Sequence, residues 1–241
     1  MSDILVLNKH SLVDTLVATS LIARLADEGH RVHCMTDGNS VELFRYCGCR
    51  TTGFFQPSCS YDRAINLSPS LLCTEIVEKV RATDKSGFGQ KSGGLTFFNE
   101  GADLLYRARI VGIPTDANLF QLVFGAAQTT WRGEGYRVGY FPKHKTKRNA
   151  VGIAMRDRRL ESFVRERLKL DRERFWYIPF KHNPLKQIDE VNRCRDIITD
   201  DEGVVHAALA LRKHAEFIVR KPTVYKLEMF GSGNIHVIDP R

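Results

Sequence analysis

The sequence lacks the segments that would place a protein in or across a membrane. No apolar run approaches the roughly 20 residues that a membrane-spanning helix needs. The first residues, Met1 to Asp3, lead directly into an apolar strand-like run, without the basic and then hydrophobic leader of a secreted protein. Because 43% of the 241 residues are hydrophobic, the chain can bury the core of one large domain or two small ones. These features predict a cytoplasmic globular protein.

Paired cysteines are also missing. The six cysteines form no CxxC pair, and the closest two, Cys47 and Cys49, have no second pair beside them that would complete a zinc site. We interpret all six as free thiols. A redox pair formed by Cys47 and Cys49 is the alternative.

The glycine-rich signatures of the commonest nucleotide-binding proteins are absent. Neither GxGxxG nor GxxxxGKS follows the first predicted strand, Asp3 to Asn8. This argues against a standard NAD-dependent enzyme and against a P-loop NTPase. No acidic pair of the DxD type is clearly placed for a metal ion, although the adjacent Asp200 and Asp201 leave that option open.

The net charge of +8 is unevenly distributed. Residues 1–142 contain 14 basic and 14 acidic side chains, whereas residues 143–241 contain 22 and 14. A basic surface can contact phosphate groups. The alternation of basic and acidic residues from Arg156 to Arg174 is equally typical of a solvated helix face.

Hydrophobic periodicity predicts an α/β fold whose first lobe spans residues 1–142. Apolar runs of strand length alternate there with segments of helical spacing, which is the pattern of parallel βαβ units. The predicted strands are Asp3–Asn8, Arg31–Met35 and Tyr61–Leu67, and the predicted helices are Leu12–Glu28, Val41–Gly48, Leu71–Val80, Asn99–Val111 and Asn118–Ala126. The glycines between residues 87 and 94 predict an exposed loop.

A second βα series predicts another lobe in residues 143–241, after a basic connection between residues 133 and 149. The predicted strands are Ala150–Met155, Phe175–Phe180, Asp196–Thr199, Glu216–Val219 and Ile235–Ile238, and the predicted helices are Leu160–Leu168, Leu185–Cys194 and Val204–Lys213. The chain is therefore predicted to contain two Rossmann-like lobes with parallel sheets.

Two polar segments follow predicted strands at the start of helices. In the first, Ser11 or Asp14 can cap the helix that begins at Leu12. In the second, Thr199 and Glu202 have the spacing of a capping box. Both segments also allow a functional interpretation, since ligands bind at the carboxyl ends of strands in such sheets and helix N-termini bind phosphate groups.

The two segments resemble the signatures of glycosyltransferase family nine, which includes the bacterial lipopolysaccharide heptosyltransferases. The family pattern Ser-Leu-Gly-Asp corresponds to Ser11–Asp14, and Thr-Asn-Asp-Thr-Gly-Pro-Met-His corresponds to Thr199–His206. Tyr61–Leu67 and Asn118–Leu122 are similar to further family segments, so the resemblance follows most of the chain in order. It implies a GT-B fold, here with a shortened second lobe.

The resemblance also implies roles for individual residues in an inverting transfer from a nucleotide-sugar to an acceptor hydroxyl. Asp14 would be the catalytic base. The implied donor-binding residues are Arg156, Asp201, Glu202, Gly203 and His206, and the implied acceptor-binding residues are Lys9, His10 and Ser11. No metal or other cofactor is required by this arrangement. The sequence departs from the family pattern at two positions. Val13 replaces a glycine, and Glu202 replaces a small hydroxyl residue.

The acceptor is left open by the sequence. A saccharide such as a lipopolysaccharide core is the first possibility, and a hydroxymethylated base of phage DNA is the second, since a basic enzyme suits phosphate contacts. A catalytically degenerate binding module is a third. The nucleotide, the sugar and the oligomeric state are not indicated by any motif.

Overall fold

The computed structural model describes residues 1–9, 11–53, 60–146, 150–168, 175–219 and 233–237. The described residues form two compact units, which divide between Gly139 and Tyr140. Each unit contains its own sheet, and parallel pairing dominates both. The predicted α/β architecture is therefore confirmed. Within the described residues, no helix combines the length and the apolar character needed to cross a membrane.

The first unit is built on a six-stranded sheet with the order β3-β2-β1-β4-β5-β6. Its strands are β1 (Asp3–Asn8), β2 (Arg31–Thr36), β3 (Arg50–Thr52), β4 (Ser60–Asn66), β5 (Arg81–Lys91) and β6 (Gly94–Phe97). All pairs are parallel except β5 with β6, which form an antiparallel hairpin. The central strand β1 is buried along almost its whole length, which explains its continuous apolar sequence.

Four helices cover this sheet: α1 (Leu12–Asp27), α2 (Leu71–Lys79), α3 (Glu100–Tyr106) and α4 (Leu119–Ala126). A 3-10 helix spans Gly38–Phe44, and a π-helical turn, Arg107–Val111, continues directly from α3. Asn118 begins α4 with a complete capping box, in which its side chain and that of Gln121 each accept from the other's backbone amide.

Two predictions for the first unit are wrong. The predicted helix Val41–Gly48 is instead the 3-10 helix ending at Phe44, and the short strand β3 after it was not expected. The glycine-rich segment predicted as an exposed loop forms the β5–β6 hairpin, in which Phe88 is buried. Gly87 is needed there for close packing, because a Cβ atom at this position would lie 1.9 Å from the carbonyl oxygen of Asn66.

The second unit has a five-stranded parallel sheet with the order β11-β10-β9-β7-β8. Its strands are β7 (Val151–Ala154), β8 (Phe175–Tyr177), β9 (Asp196–Thr199), β10 (His214–Val219) and β11 (Gly233–Val237), and its helices are α5 (Arg158–Leu168), α6 (Pro184–Asn192) and α7 (Glu202–Ala210). Predicted and observed elements agree in type and order. The strand predicted to reach Phe180 ends at Tyr177, and the helix predicted from Val204 begins at Glu202.

The start of the second unit is fixed to it by Asp189 of α6. This buried carboxylate accepts hydrogen bonds from the hydroxyl of Tyr140 at 2.9 and 3.0 Å and from the backbone amide of Lys143 at 2.7 Å. Residues 140–143 are therefore anchored, although the sequence predicted a solvated connection. Lys147 and Arg148, which belong to the same predicted connection, lie outside the described residues.

Candidate functional site

The first motif lies where β1 ends and α1 begins. Ser11 is the N-cap of α1, and its hydroxyl oxygen accepts a hydrogen bond from the backbone amide of Asp14 at 3.3 Å. The predicted capping role is thus confirmed for Ser11. Val13 is the second residue of the helix and is buried, so a valine is accommodated where the family pattern has a glycine.

Among the described residues, the side chains of Ser11 and Arg109 hold the carboxylate of Asp14. The hydroxyl of Ser11 donates to Oδ2 at 2.5 Å. The guanidinium of Arg109 approaches side-on, with Nε 3.3 Å from Oδ1 and Nη2 3.2 Å from Oδ1 and 3.3 Å from Oδ2. The Asp14 side chain is 12% exposed and that of Arg109 is 16% exposed. The carboxylate is therefore oriented by a partly buried ion pair and a short hydrogen bond.

Arg109 reaches Asp14 because α3 and its π-helical turn are fixed in position. At Gly101, the second residue of α3, an added Cβ atom would lie 2.2 Å from the carbonyl oxygen of Gly125 in α4, so the two helices are in close contact. The π-helical turn ends at Gly112, which has a left-handed conformation (φ 81°). Single π-helical turns are frequent at functional sites.

Sequence reasoning missed Arg109. It lies 95 residues from Asp14, inside a segment predicted as an ordinary helix. The only local signal was a helix-ending glycine three residues later, which is too common to identify a functional residue. Together, Asp14 and Arg109 line a small pocket whose other walls include the apolar side chains of Leu67, Phe88 and Leu105. Apolar walls strengthen electrostatic interactions between the groups that they enclose.

The remaining residues predicted to bind the acceptor lie around the same loop. The ammonium of Lys9 lies 3.5 Å from the carboxylate of Asp37, which follows β2. His10 lies outside the described residues. The structure therefore brings Ser11 and Asp14 into contact, whereas the recorded partner of Lys9 is Asp37.

The second motif lies where β9 ends and α7 begins, and it is capped differently from the sequence prediction. Asp201 is the N-cap of α7, and its Oδ1 accepts from the backbone amide of Val204 at 2.9 Å. The hydroxyl of Thr199 donates to the carbonyl of Ala154 at 2.7 Å and accepts from the amide of Asp201 at 3.0 Å. The predicted capping box of Thr199 and Glu202 is therefore wrong, because Thr199 joins β9 to β7 instead.

Arg156 and Asp201 are in direct contact. Arg156 follows β7, and its Nε lies 2.5 Å from Oδ2 of Asp201. Cζ of its guanidinium lies over the ring of Phe180, 4.2 Å from the ring centroid. The Arg156 side chain is 65% exposed. The contact between Arg156 and Phe180 was not predicted from the sequence.

The carboxylate of Asp200 is hydrogen-bonded to backbone amides. It accepts from the amide of Arg156 at 2.7 Å and from the amide of Asp157 at 2.9 Å. Asp200 and Asp201 therefore each have donors bound to both carboxylate oxygens. Across the described ranges, no group of three or more His, Cys, Asp and Glu side chains is arranged to hold a metal ion.

The other predicted donor-binding residues belong to α7. Glu202 and Gly203 are its first two residues, whose amides have no intrahelical acceptor in any α-helix. His206 lies one turn further along, with Nε2 3.8 Å from a carboxylate oxygen of Glu202. The His206 side chain is 2% exposed, so it is enclosed by its surroundings. The carboxyl end of this sheet thus combines a cation, Arg156, with the positive end of a helix dipole.

Sequence comparison finds no matching family model and no matching curated protein. Solved structures, in contrast, match almost the whole chain. A glycosyl transferase of family nine from Veillonella parvula has a TM-score of 0.64 at 10% identity, covering 98% of this chain and 86% of its own. The ADP-heptose lipopolysaccharide heptosyltransferase II of E. coli has a TM-score of 0.60 at 11% identity, covering 98% and 91%.

The E. coli heptosyltransferase WaaC, solved with ADP, has a TM-score of 0.54 at 12% identity and covers 98% of this chain and 92% of its own. At such low identities the likeness concerns the fold. The resemblance to family nine that the two motifs suggested is confirmed at this level: the chain has the GT-B-like α/β fold of these glycosyltransferases.

Proposed function

We propose that the chain is an enzyme that transfers a sugar from a nucleotide-sugar to an acceptor hydroxyl. The observation that carries this proposal is the Asp14 carboxylate, held by Ser11 and Arg109 at the carboxyl end of the central strand of a transferase-like fold. A general base must be held in a fixed orientation, and a carboxylate with two side-chain partners meets that need.

Asp14 takes the proton from the acceptor hydroxyl as its oxygen attacks the anomeric carbon of the donor. The bond between that carbon and the diphosphate oxygen breaks, and attack from the opposite face inverts the configuration. Arg109 and Ser11 keep Asp14 in place through this step. General base catalysis of this kind contributes about 10²–10⁴-fold to a rate.

The second unit binds the donor and stabilises the departing diphosphate. Arg156 supplies a guanidinium that suits phosphate oxygens, and the first amides of α7, at Glu202 and Gly203, supply further donors. Stabilising the charge that develops on the leaving group is the main contribution that these groups make to catalysis. His206, one turn along α7 and buried, is the further residue that we propose for the donor site.

An ADP-sugar is the first donor to test, because the E. coli structures with this fold are named for ADP-heptose or contain ADP. The test is a thermal-shift screen across ADP-, UDP-, GDP- and CMP-sugars. A ligand at about 100 times its Kd adds about 2.7 kcal/mol of stability. For a protein of this size, that amounts to a rise in Tm of about 5–10 °C. A screen in which no nucleotide-sugar raises the Tm would contradict the proposal.

The proposed acceptor is a saccharide hydroxyl, such as one on a lipopolysaccharide core. The unit that contains Asp14 has equal numbers of acidic and basic side chains, which does not favour a polyanionic duplex. The discriminating measurement is the salt dependence of acceptor binding. A DNA acceptor would give a steep slope of about −0.9 per phosphate contacted, and a saccharide would give a shallow one.

We also propose that transfer requires no metal ion. The carboxylates of Asp200 and Asp201 are bound by backbone amides and by Arg156, so a metal would have to displace these donors. Turnover is expected to be unchanged in EDTA. Loss of turnover in EDTA and its recovery with Mg²⁺ or Mn²⁺ would refute this.

A further inference from the structure

The contact between Arg156 and Asp201 is unusual for two residues that are both assigned to the same anionic ligand. A carboxylate beside a diphosphate repels it, whereas a guanidinium attracts it. Here the guanidinium is already bound by the carboxylate of Asp201, with Nε of Arg156 2.5 Å from Oδ2 of Asp201. A diphosphate that binds Arg156 must therefore compete with Asp201.

We propose that Asp201 is an internal counterion of Arg156, which the diphosphate of the donor displaces, and that this exchange sets the affinity of the site for anions. The inference rests on the proposed donor site in the second unit. It reassigns Asp201, which the family resemblance presented as a direct ligand of the donor. Asp201 instead tunes the charge of the site through Arg156.

The two oxygens of Asp201 have separate tasks, which makes the exchange possible. Oδ1 accepts from the amide of Val204 and caps α7, whereas Oδ2 binds Arg156. Displacement from Oδ2 therefore leaves the cap in place. The ion pair is open to solvent on the arginine side, since the Arg156 side chain is 65% exposed and that of Asp201 14%, and solvent-exposed pairs contribute little net stability.

Phe180 keeps Arg156 ready for the incoming phosphate. Its ring lies 4.2 Å from Cζ of the guanidinium, while Asp201 accepts from Nε. Among the described residues, the hydrogen bonds of Arg156 are donated by its backbone amide and by Nε, and the two Nη groups are the atoms that would bind phosphate oxygens in the bidentate geometry that arginine favours. Arg156 can then exchange partners while it keeps its contact with Phe180.

The test is the affinity for ADP and for inorganic diphosphate, measured by calorimetry at one ionic strength. Asp201→Asn removes the charge and keeps a residue that caps as well as aspartate. We expect it to bind both anions about three- to tenfold more tightly than the original chain. Arg156→Ala should bind them at least about threefold more weakly, and Asp201→Asn combined with Arg156→Ala should lose the gain.

Asp157→Asn is the matched control. Asp157 also follows β7, its side chain also accepts a backbone amide, that of Arg159, and it also lies near an arginine, with Nε of Arg159 at 3.5 Å. This control changes the net charge equally and should alter the affinity by less than about twofold. If Asp201→Asn lowers the melting temperature, Asp201→Ser, which also caps a helix, replaces it.

The outcomes separate this inference from the proposed function. Binding by the original chain with equal or weaker binding by Asp201→Asn would overturn the counterion role and leave the donor site standing. The counterion role would also be overturned if Asp201→Asn raised the anion affinity in the absence of Arg156, or if Asp157→Asn raised it equally. If neither the original chain nor any variant binds a nucleotide or diphosphate, the donor site and the counterion role both fall.

Discussion

The ion pair between Asp14 and Arg109 can be tested by its energetic coupling. Exposed pairs contribute about 0.2–1 kcal/mol, and breaking a fully buried pair costs about 3–5 kcal/mol. This pair lies between these limits, with side chains 12% and 16% exposed and contacts of 3.2–3.3 Å, longer than the best charge-assisted bonds. We therefore expect a coupling energy of about 1–2 kcal/mol between the two side chains.

The assay is a double-mutant cycle of Asp14→Asn, Arg109→Leu and both together, followed by urea unfolding. The chain has two tryptophans, Trp131 and Trp176, in different units. In a Trp176→Phe background, the fluorescence of Trp131 reports the first unit alone. A coupling energy below about 0.5 kcal/mol, which is the usual error of additivity, would refute the claim that Arg109 holds Asp14.

Three further predictions follow from particular residues. Gly101→Ala should destabilise the first unit by about 2 kcal/mol in urea unfolding, because its Cβ atom would meet a backbone carbonyl of α4, whereas Gly38→Ala, which meets no atom within 4 Å, should be nearly neutral. Burial and a neighbouring arginine lower the pKa of His33 below its usual 6.5, so the unfolded chain binds the proton more readily than the folded one. The free energy of unfolding should therefore fall as the pH drops below about 6.5, and it should fall less in His33→Gln. Equal pH dependence of the unfolding free energy in the two proteins would count against this role of His33. Burial raises the pKa of Cys47 to about 12, so its peptide should be labelled by iodoacetamide at pH 8 only after unfolding, and rapid labelling of the native protein would contradict the structure.

Much of the fold could be predicted because hydrophobic periodicity is a local signal. The run that forms β1 and the helical spacing of α1 each appear within a few residues, and the parallel pairing follows from their alternation. One prediction failed because a glycine has a tertiary role. Gly87 suggested a loop, yet it serves the close approach of β5 to Asn66, and no sequence window contains that contact.

The candidate site was predictable only in its local parts. Ser11 and Asp14 are three residues apart, so their contact follows from helix geometry. Arg109 is 95 residues away from Asp14, and its position depends on how α3 packs on α4. Arg156 and Asp201 lie 45 residues apart and were grouped only through a family resemblance, which did not show that they bind each other.

The central claim is that Asp14 acts as the base of a sugar transfer. A comparison of the chain with its Asp14→Asn variant tests this claim most directly. The chain and its Asp14→Asn variant are incubated with the nucleotide-sugar found in the thermal-shift screen and with lipopolysaccharide of truncated core, and the release of nucleoside diphosphate and the mass of the acceptor are followed. We expect the variant to bind the donor with unchanged affinity and to transfer sugar at least about 100-fold more slowly. Equal transfer rates for the two proteins would contradict the account.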